Sequence, residues 1–370
     1  MMQIESIEVS VSRLPLPFGN WQDQIHHVEH IELIVVDVRS SDGKVGTGIS
    51  HTSGVGARGI VGLLSELAVH LPGREVVPQV LWDEAWRYLH DCGGGGVTTL
   101  ALAALDMACW DLVAKASHLP LADLLGRRRE VVPLYGSGIN LNLSEEALVE
   151  QAREWRARGY KAAKIKVGKE SAAEDVERVA AVRAAVPELA LMVDANQGWT
   201  LPEATRRMRQ LERFDLVWVE EPLLIDDVDA HRQLAREVTV PIALGENVYT
   251  IAQFKQFIGA GITSYVQADV ARVGGITPYL RIAELAAAHQ LPMAPHFIME
   301  ISASLCASVR NLYLVEDTAG GTLSELGAIV DEQRVKDGTY VPSTEPGLGV
   351  TWNRDVLERF AVRDLSCAFG

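Results

Sequence analysis

The chain has 370 residues, too many for one small core and few for three domains, so two domains or one large barrel with additions are expected. With 48% hydrophobic and 22% charged residues, it has the composition of a soluble folded protein rather than a disordered one. A net charge of −15, with no basic stripe, argues against nucleic acid or an anionic membrane as partner.

The amino-terminal stretch MMQIESIEVSVSRLPLP alternates polar and apolar like a strand. It lacks the basic start and apolar run of a signal peptide, so a cytoplasmic setting is expected. Strands over residues 3–12 and within HIELIVVDVRSSDGKVGTGIS, the latter turning at Ser41-Asp42-Gly43, precede helical patterns near 56–71, 77–90 and 97–117. Strands first and helices after are the mark of a segregated α+β unit. GVGARG, residues 54–59, matches the spacing of a dinucleotide fingerprint. No parallel strand follows at βαβ distance, so it reads as a flexible loop near the barrel mouth. Four glycines from Gly93 read as the loop before the third helix. That helix, VTTLALAALDMACWDLVA, is interrupted by Asp106 and Asp111, so it is expected to be buried rather than to span a membrane. The two acids are expected to form interdomain ion pairs. Cys92, Cys109, Cys306 and Cys367 include no CxxC pair, which argues against a zinc knuckle or a disulfide framework.

After the polar crossing LLGRRREVVP the pattern changes. Eight short apolar runs, VVPLYGS, KAAKIKV, LALMVDA, LVWVEEP, PIALGEN, SYVQAD, LPMAPH and LYLVE, alternate with amphipathic helical stretches. Such alternation means parallel strands with crossover helices, and eight runs suggest a closed β/α barrel. The predicted layout is an α+β domain over residues 1–127, a barrel over 128–345, and a segment 346–370 that packs back on the first domain.

The run ends carry the informative residues. They are Lys164 and Lys166 on one face of the second run, then Asp194 with Asn196, Glu220 with Glu221, Glu246, Asp269, His296 and Glu316, at steps of 20 to 28 residues. In a barrel, strand ends converge on one mouth, where active sites lie. Any one acid could equally be ion-paired, and paired lysines alone could be a wet strand edge. Three carboxylates in register, Asp194, Glu220 and Glu246, fit a hard divalent cation such as Mg²⁺ better than ion pairs. Lys164 is expected to lower the pKa of Lys166, and Asp269 to orient His296, giving two candidate bases on opposite sides of a metal.

KIK, VDANQGW, WVEEP, LGEN, QADVARVGGIT, PHFIMEIS and the upstream GGVTTLALAALDMACWDL resemble the mandelate racemase subgroup of the enolase superfamily over nearly the whole chain. The resemblance implies a (β/α)7β barrel, a modified TIM barrel, with a capping domain formed by the N-terminal region and the C-terminal segment. It implies one Mg²⁺ per subunit on Asp194, Glu220 and Glu246. Lys166 would be one base, tuned by Lys164, and His296 the other, oriented by Asp269. Glu316 would bond the substrate carboxylate and, if protonated, donate to it. Asn196, with Trp21 and His51, would complete the substrate contacts, and a homo-oligomer is expected.

The loop FGNWQDQIHHVEH carries Asn20, Gln22, Asp23, Gln24, His26 and His27, a polar lid suited to a polyhydroxylated substrate. His26, His27 and His30 read as part of a solvated lid rather than as a metal site. With HFIME and CGGGGVTT, the lid points to acid sugar dehydratases of the galactarate/talarate type. The expected reaction is removal of the proton next to a carboxylate and loss of the β-hydroxyl, giving a 2-keto-3-deoxy acid. A racemase or epimerase using the same bases, and a catalytically silent sugar-acid binder, stay open as alternatives.

Overall fold

A computed structural model describes residues 2–330, 332–365 and 367–369. The strands β1 (Ile4–Pro15), β2 (His30–Ser40) and β3 (Val45–Thr52) form an antiparallel sheet. Its order is completed by residues Cys367–Phe369, which pair with β1. The side chain of Cys367 lies outside the described residues, and Cys92, Cys109 and Cys306 are unbridged. Residues 360–362 also bond β1, through Arg13 N–H to the Phe360 carbonyl and Val362 N–H to the Val11 carbonyl.

Three helices follow, α1 (Ala57–His70), α2 (Pro78–Leu89) and α3 (Val97–Ala116). The expected GVGARG loop is only half loop: residues 54–56 form it, and Ala57 onward is the first turn of α1. α3 is buried on nearly every side, as its unbroken run of apolar residues demands, and packs on β3, α1 and α2.

The barrel follows the expected alternation. Its strands are β4 (Val132–Ser137), β5 (Ala162–Lys166), β6 (Ala190–Asp194), β7 (Val219–Glu220), β8 (Ile242–Leu244), β9 (Tyr265–Val266) and β10 (Val315–Thr318). Successive strands pair in parallel, and β10 closes the ring on β4. The seventh run, around Met293, is too short for a regular strand but bridges Val266 on one side and Leu312 on the other. The intervening helices start where the sequence supplies caps. Ser144 and Asp227 each accept a bond from the first turn of their helix, and Thr200/Glu203 and Thr250/Gln253 form reciprocal capping boxes.

The capping domain grips the barrel at the helix Ile276–Ala288 (α4). Asp106 is not the ion-pair partner expected from the sequence. Its carboxylate accepts from the Thr277 N–H (2.9 Å) and hydroxyl (2.6 Å), capping α4 from another domain. Trp110 donates to the Thr277 hydroxyl (3.0 Å) and Trp82 to the Gly274 carbonyl (2.8 Å). Asp111 pairs with Lys115 on its own helix and accepts from the Thr47 and Leu348 N–H groups. A bare helix N-terminus is the physical reason for the difference, since it attracts a carboxylate as well as a cation does. Asp106→Ala is expected to cost about 1–3 kcal/mol, the penalty for buried donors left unpaired, read as a lower midpoint in thermal or urea unfolding. An unshifted midpoint would show that α4 does not depend on this cap.

Candidate active site

The register of the barrel brings the charged strand ends level. Lys166 lies opposite Asp194, and Asp194 opposite Glu220, in adjacent strands. Glu246 follows two residues after β8 ends. One carboxylate oxygen from each of Asp194, Glu220 and Glu246 comes within 4.8 Å of the others, and all three residues are buried. Such an all-oxygen donor set fits a hard divalent cation.

The two lysines answer the charge of these acids. Both point inward as expected, and Lys164 is only 1% exposed. Its ammonium donates to Glu220 (2.5 Å) and lies 2.8 Å from Glu316 and 3.5 Å from Asp194. The Lys166 ammonium donates to Asp194 (2.5 Å). Burial pushes the Lys166 pKa down most strongly, but Asp194, Glu246 and Glu220 together outweigh it and the net direction is up. Lys164 does push Lys166 downward, as expected from the pairing, but loses to the nearer carboxylate. Glu316 is corrected in the same way. Burial raises its pKa, yet Lys164 and His296 hold the carboxyl below its ordinary value, so it stands ionised and the condition for its donor role is not met. It accepts instead from the Phe297 N–H (3.0 Å).

His296 stands at the other side of the acids. Its Nδ1 lies 2.8 Å from Asp269 Oδ2, which leaves Nε2 facing Glu246 at 3.3 Å. Burial lowers its pKa, but Glu246, Asp269 and Glu316 reverse this and favour the imidazolium. Asp269 is fixed in turn by the N–H groups of Ala271 and Arg272. His51, at the end of β3, brings its Nε2 to 3.6 Å from Asp269 Oδ2 and helps hold the Asp269 carboxyl below its ordinary value.

The backbone at this mouth is strained. Of the non-glycine residues with positive φ, Asn196, Gln197, Glu221, Phe297 and Ile298 all lie at strand ends here. Ile298 at φ 42° is a β-branched residue in a region such residues avoid, and strain of this kind gathers at functional sites.

A single pocket gathers Lys164, Lys166, Asn196, Glu246, His296, Glu316, Trp21 and His51 among its walls. Asp194, Glu220 and Asp269 lie behind them as buried supports. The lid folds into a small hairpin, Trp21–Gln22 paired with His27–Val28. Its polar residues divide. Asp23 and His26 line the pocket and pair with each other at 3.0 Å, and the His26 side chain stays 45% exposed, as expected of a solvated lid. Asn20 meets His27, and Gln22 accepts from Asn142, both away from the pocket.

Several functional neighbours escaped the sequence reading. Trp218 (3.1 Å) and Gln267 (2.5 Å) donate to Glu220 from below, and an aromatic or amide two residues before a strand-end acid was the available signal for Trp218. Asn247 bridges Glu246 and Glu221, and burial raises the Glu221 carboxyl far above its ordinary value. Arg272 lines the pocket and donates to the Glu246 carbonyl (3.3 Å) and to Asn247. Nothing in the pattern ADVARVGG marks Arg272 as facing the pocket.

Comparison with known proteins places this architecture. Residues 6–126 match the mandelate racemase / muconate lactonizing enzyme N-terminal domain, and residues 147–356 match the enolase C-terminal domain-like family. The chain is 35% identical to the L-talarate/galactarate dehydratase of Salmonella typhimurium, over 100% of this chain and 93% of that protein. It is 34% identical to the 3,6-anhydro-alpha-L-galactonate cycloisomerase of Streptomyces coelicolor, over 97% of this chain and 99% of the relative. The crystal structure of L-talarate dehydratase from Polaromonas sp. JS666, complexed with Mg and L-glucarate, superposes with a TM-score of 0.91 at 33% identity, covering 100% of both chains. With its antiparallel cap, its β/α barrel and its three carboxylates at the mouth, the chain belongs to the mandelate racemase/muconate lactonizing enzyme family of the enolase superfamily.

Proposed function

We propose that this protein is a Mg²⁺-dependent acid sugar dehydratase acting on a hexarate of the galactarate/talarate kind. The observation that carries the reading is the placement of two different proton-transfer groups against two different members of the acid triad. Lys166 touches Asp194, and His296 touches Glu246. A substrate carboxylate resting over the triad would have its α-carbon between them.

Asp194, Glu220 and Glu246 would hold the metal, which when bound offsets the negative charge that grows on the substrate carboxylate as the α-proton leaves. Lys164, held by Glu316 at 2.8 Å, would bond that carboxylate, and the neutral form of Lys166 would take the α-proton. His296, held by Asp269 with its Nε2 toward the pocket, would protonate the β-hydroxyl. The C–H bond breaks at the α-carbon, the C–O bond breaks at the β-carbon, and water leaves. The resulting enol becomes the 2-keto-3-deoxy acid. Asn196, Trp21, His51, Asp23 and His26 would read the remaining hydroxyls.

Similarity to dehydratases of several acid sugars supports the reaction class: L-talarate/galactarate, arabinonate and D-galactonate dehydratases are all relatives. The comparable similarity to a cycloisomerase favours a second reading, isomerisation with the same bases. Incubation with a panel of hexarates and aldonates plus Mg²⁺, assayed for keto acid, separates the two. Keto acid from a hexarate is expected. Exchange of the α-proton in D₂O without keto acid would favour isomerisation, and silence toward every acid would sink both readings.

A further inference from the structure

The lid carries one polar residue that neither faces the pocket nor meets solvent freely. The turn at its tip is stiff: Asp23 Oδ1 accepts from the N–H groups of Ile25 (2.9 Å) and His26 (2.8 Å), and Asp23 N–H reaches the His26 carbonyl. From this turn the Gln24 side chain drops onto the barrel rim. Its amide donates to the carbonyl of Ala195 (2.9 Å), just past β6, and more weakly to that of Val167 (3.4 Å), just past β5. The space it enters is a slot between Gly168 and Gly198. A Cβ at either glycine would overlap the Gln24 amide. Gly168 has φ +116°, so a side chain there is also strained, whereas at Gly198 the nearest atoms a Cβ would meet are all those of Gln24. Val167 and Ala195 each follow directly on a strand end of the site, Lys166 and Asp194.

We propose that Gln24 is a positioning residue, a latch whose seating between Gly168 and Gly198 holds Asp23 and His26 over the bound substrate. Two rim carbonyls and a glycine slot form a socket for one side chain, and the stiff turn transmits its position to the two neighbours that line the pocket. With the latch withdrawn, the lid loses its bonds to the ends of β5 and β6. Asp23 and His26 then leave the substrate's distal hydroxyls, while the acid triad and both bases stay in place. The effect on turnover rests on the acid sugar reading; the seating of the lid does not.

The test compares Gln24→Ala, Gly198→Ala and the double variant in the full-length Mg²⁺-loaded protein. Chymotryptic cleavage after Phe18 or Trp21, followed by mass spectrometry without substrate, reports how often the lid opens. Each single variant is expected to speed cleavage about tenfold, the effect of losing one to two neutral hydrogen bonds. With the acid sugar that the wild type dehydrates, each is expected to raise KM by a similar factor and to change kcat little. Mg²⁺ affinity and the unfolding midpoint are expected to stay at wild-type values. The double variant is expected to match Gln24→Ala alone, because an empty slot has nothing left to exclude. Wild-type cleavage rates in either single variant, or additive effects in the double, would overturn the latch even in a working dehydratase. Faster cleavage in the variants of a protein that turns over no acid sugar would uphold the latch and remove the acid sugar reading instead.

Discussion

Lys166→Met is expected to lower dehydration by about 10²–10⁴-fold, the usual contribution of one positioned proton-transfer group. The substitution keeps an unbranched side chain of similar length on the pocket wall, so loss of packing is small. Lys166 makes one short contact, to Asp194, and its neighbour Lys164 keeps three carboxylates within 3.5 Å. The triad therefore retains a compensating ammonium, and the fold is expected to survive. Two measurements separate a lost base from a damaged metal site. Mg²⁺ titration by calorimetry should give an affinity near that of wild type, and steady-state kinetics should place the loss in kcat rather than KM. A variant that keeps wild-type kcat would remove Lys166 from the chemistry.

Removal of the metal is expected to have an effect at least as large. Offsetting charge on a carboxylate as its α-proton leaves is worth several kcal/mol, which corresponds to about 10³-fold or more in rate. Dialysis against a chelator should abolish turnover, and added Mg²⁺ should restore it. The same treatment should leave the far-ultraviolet circular dichroism intact. Asp194 and Glu220 bond to Lys166 and Lys164, and Glu220 is further held by Trp218 and Gln267, so the acids have partners without a cation. Added Mg²⁺ should nevertheless raise the unfolding midpoint, since a ligand bound only by the native state stabilises it by mass action. Unchanged turnover after chelation, or an unmoved midpoint at saturating Mg²⁺, would contradict assignment of the triad to a metal.

The barrel and the acid triad were legible because both rest on periodicity. A parallel barrel repeats one strand and one helix, so the acids at Asp194, Glu220 and Glu246 recur at near-constant spacing and the topology must bring them together. The inward face of KAAKIKV was legible for a similar reason, since alternation along a strand puts Lys164 and Lys166 on one side. What could not be read depends on distances between elements. Whether Lys164 or Asp194 governs Lys166 is a matter of which charge is nearer, and Asp194 at 2.5 Å wins. Glu316 was expected to donate only if protonated, and its ion pair with Lys164 at 2.8 Å keeps it charged. The lid was legible only as polar. The turn formed by Asp23 decides that Asp23 and His26 face inward while Gln22 and His27 do not, and such a turn has no repeat to betray its geometry. The partner of Asp106 is a helix end 171 residues away rather than a cation, and nothing in the local sequence marks it.

Division of labour between Lys166 and His296 is tested most directly by following the α-proton of the hexarate by NMR in D₂O with His296→Asn. Lys166 remains in that variant, while the acid for the departing hydroxyl is gone. The expected result is exchange of the α-proton for deuterium without formation of keto acid. Dehydration at the wild-type rate in His296→Asn, or loss of exchange there together with its retention in Lys166→Met, would contradict the assignment of the two bases.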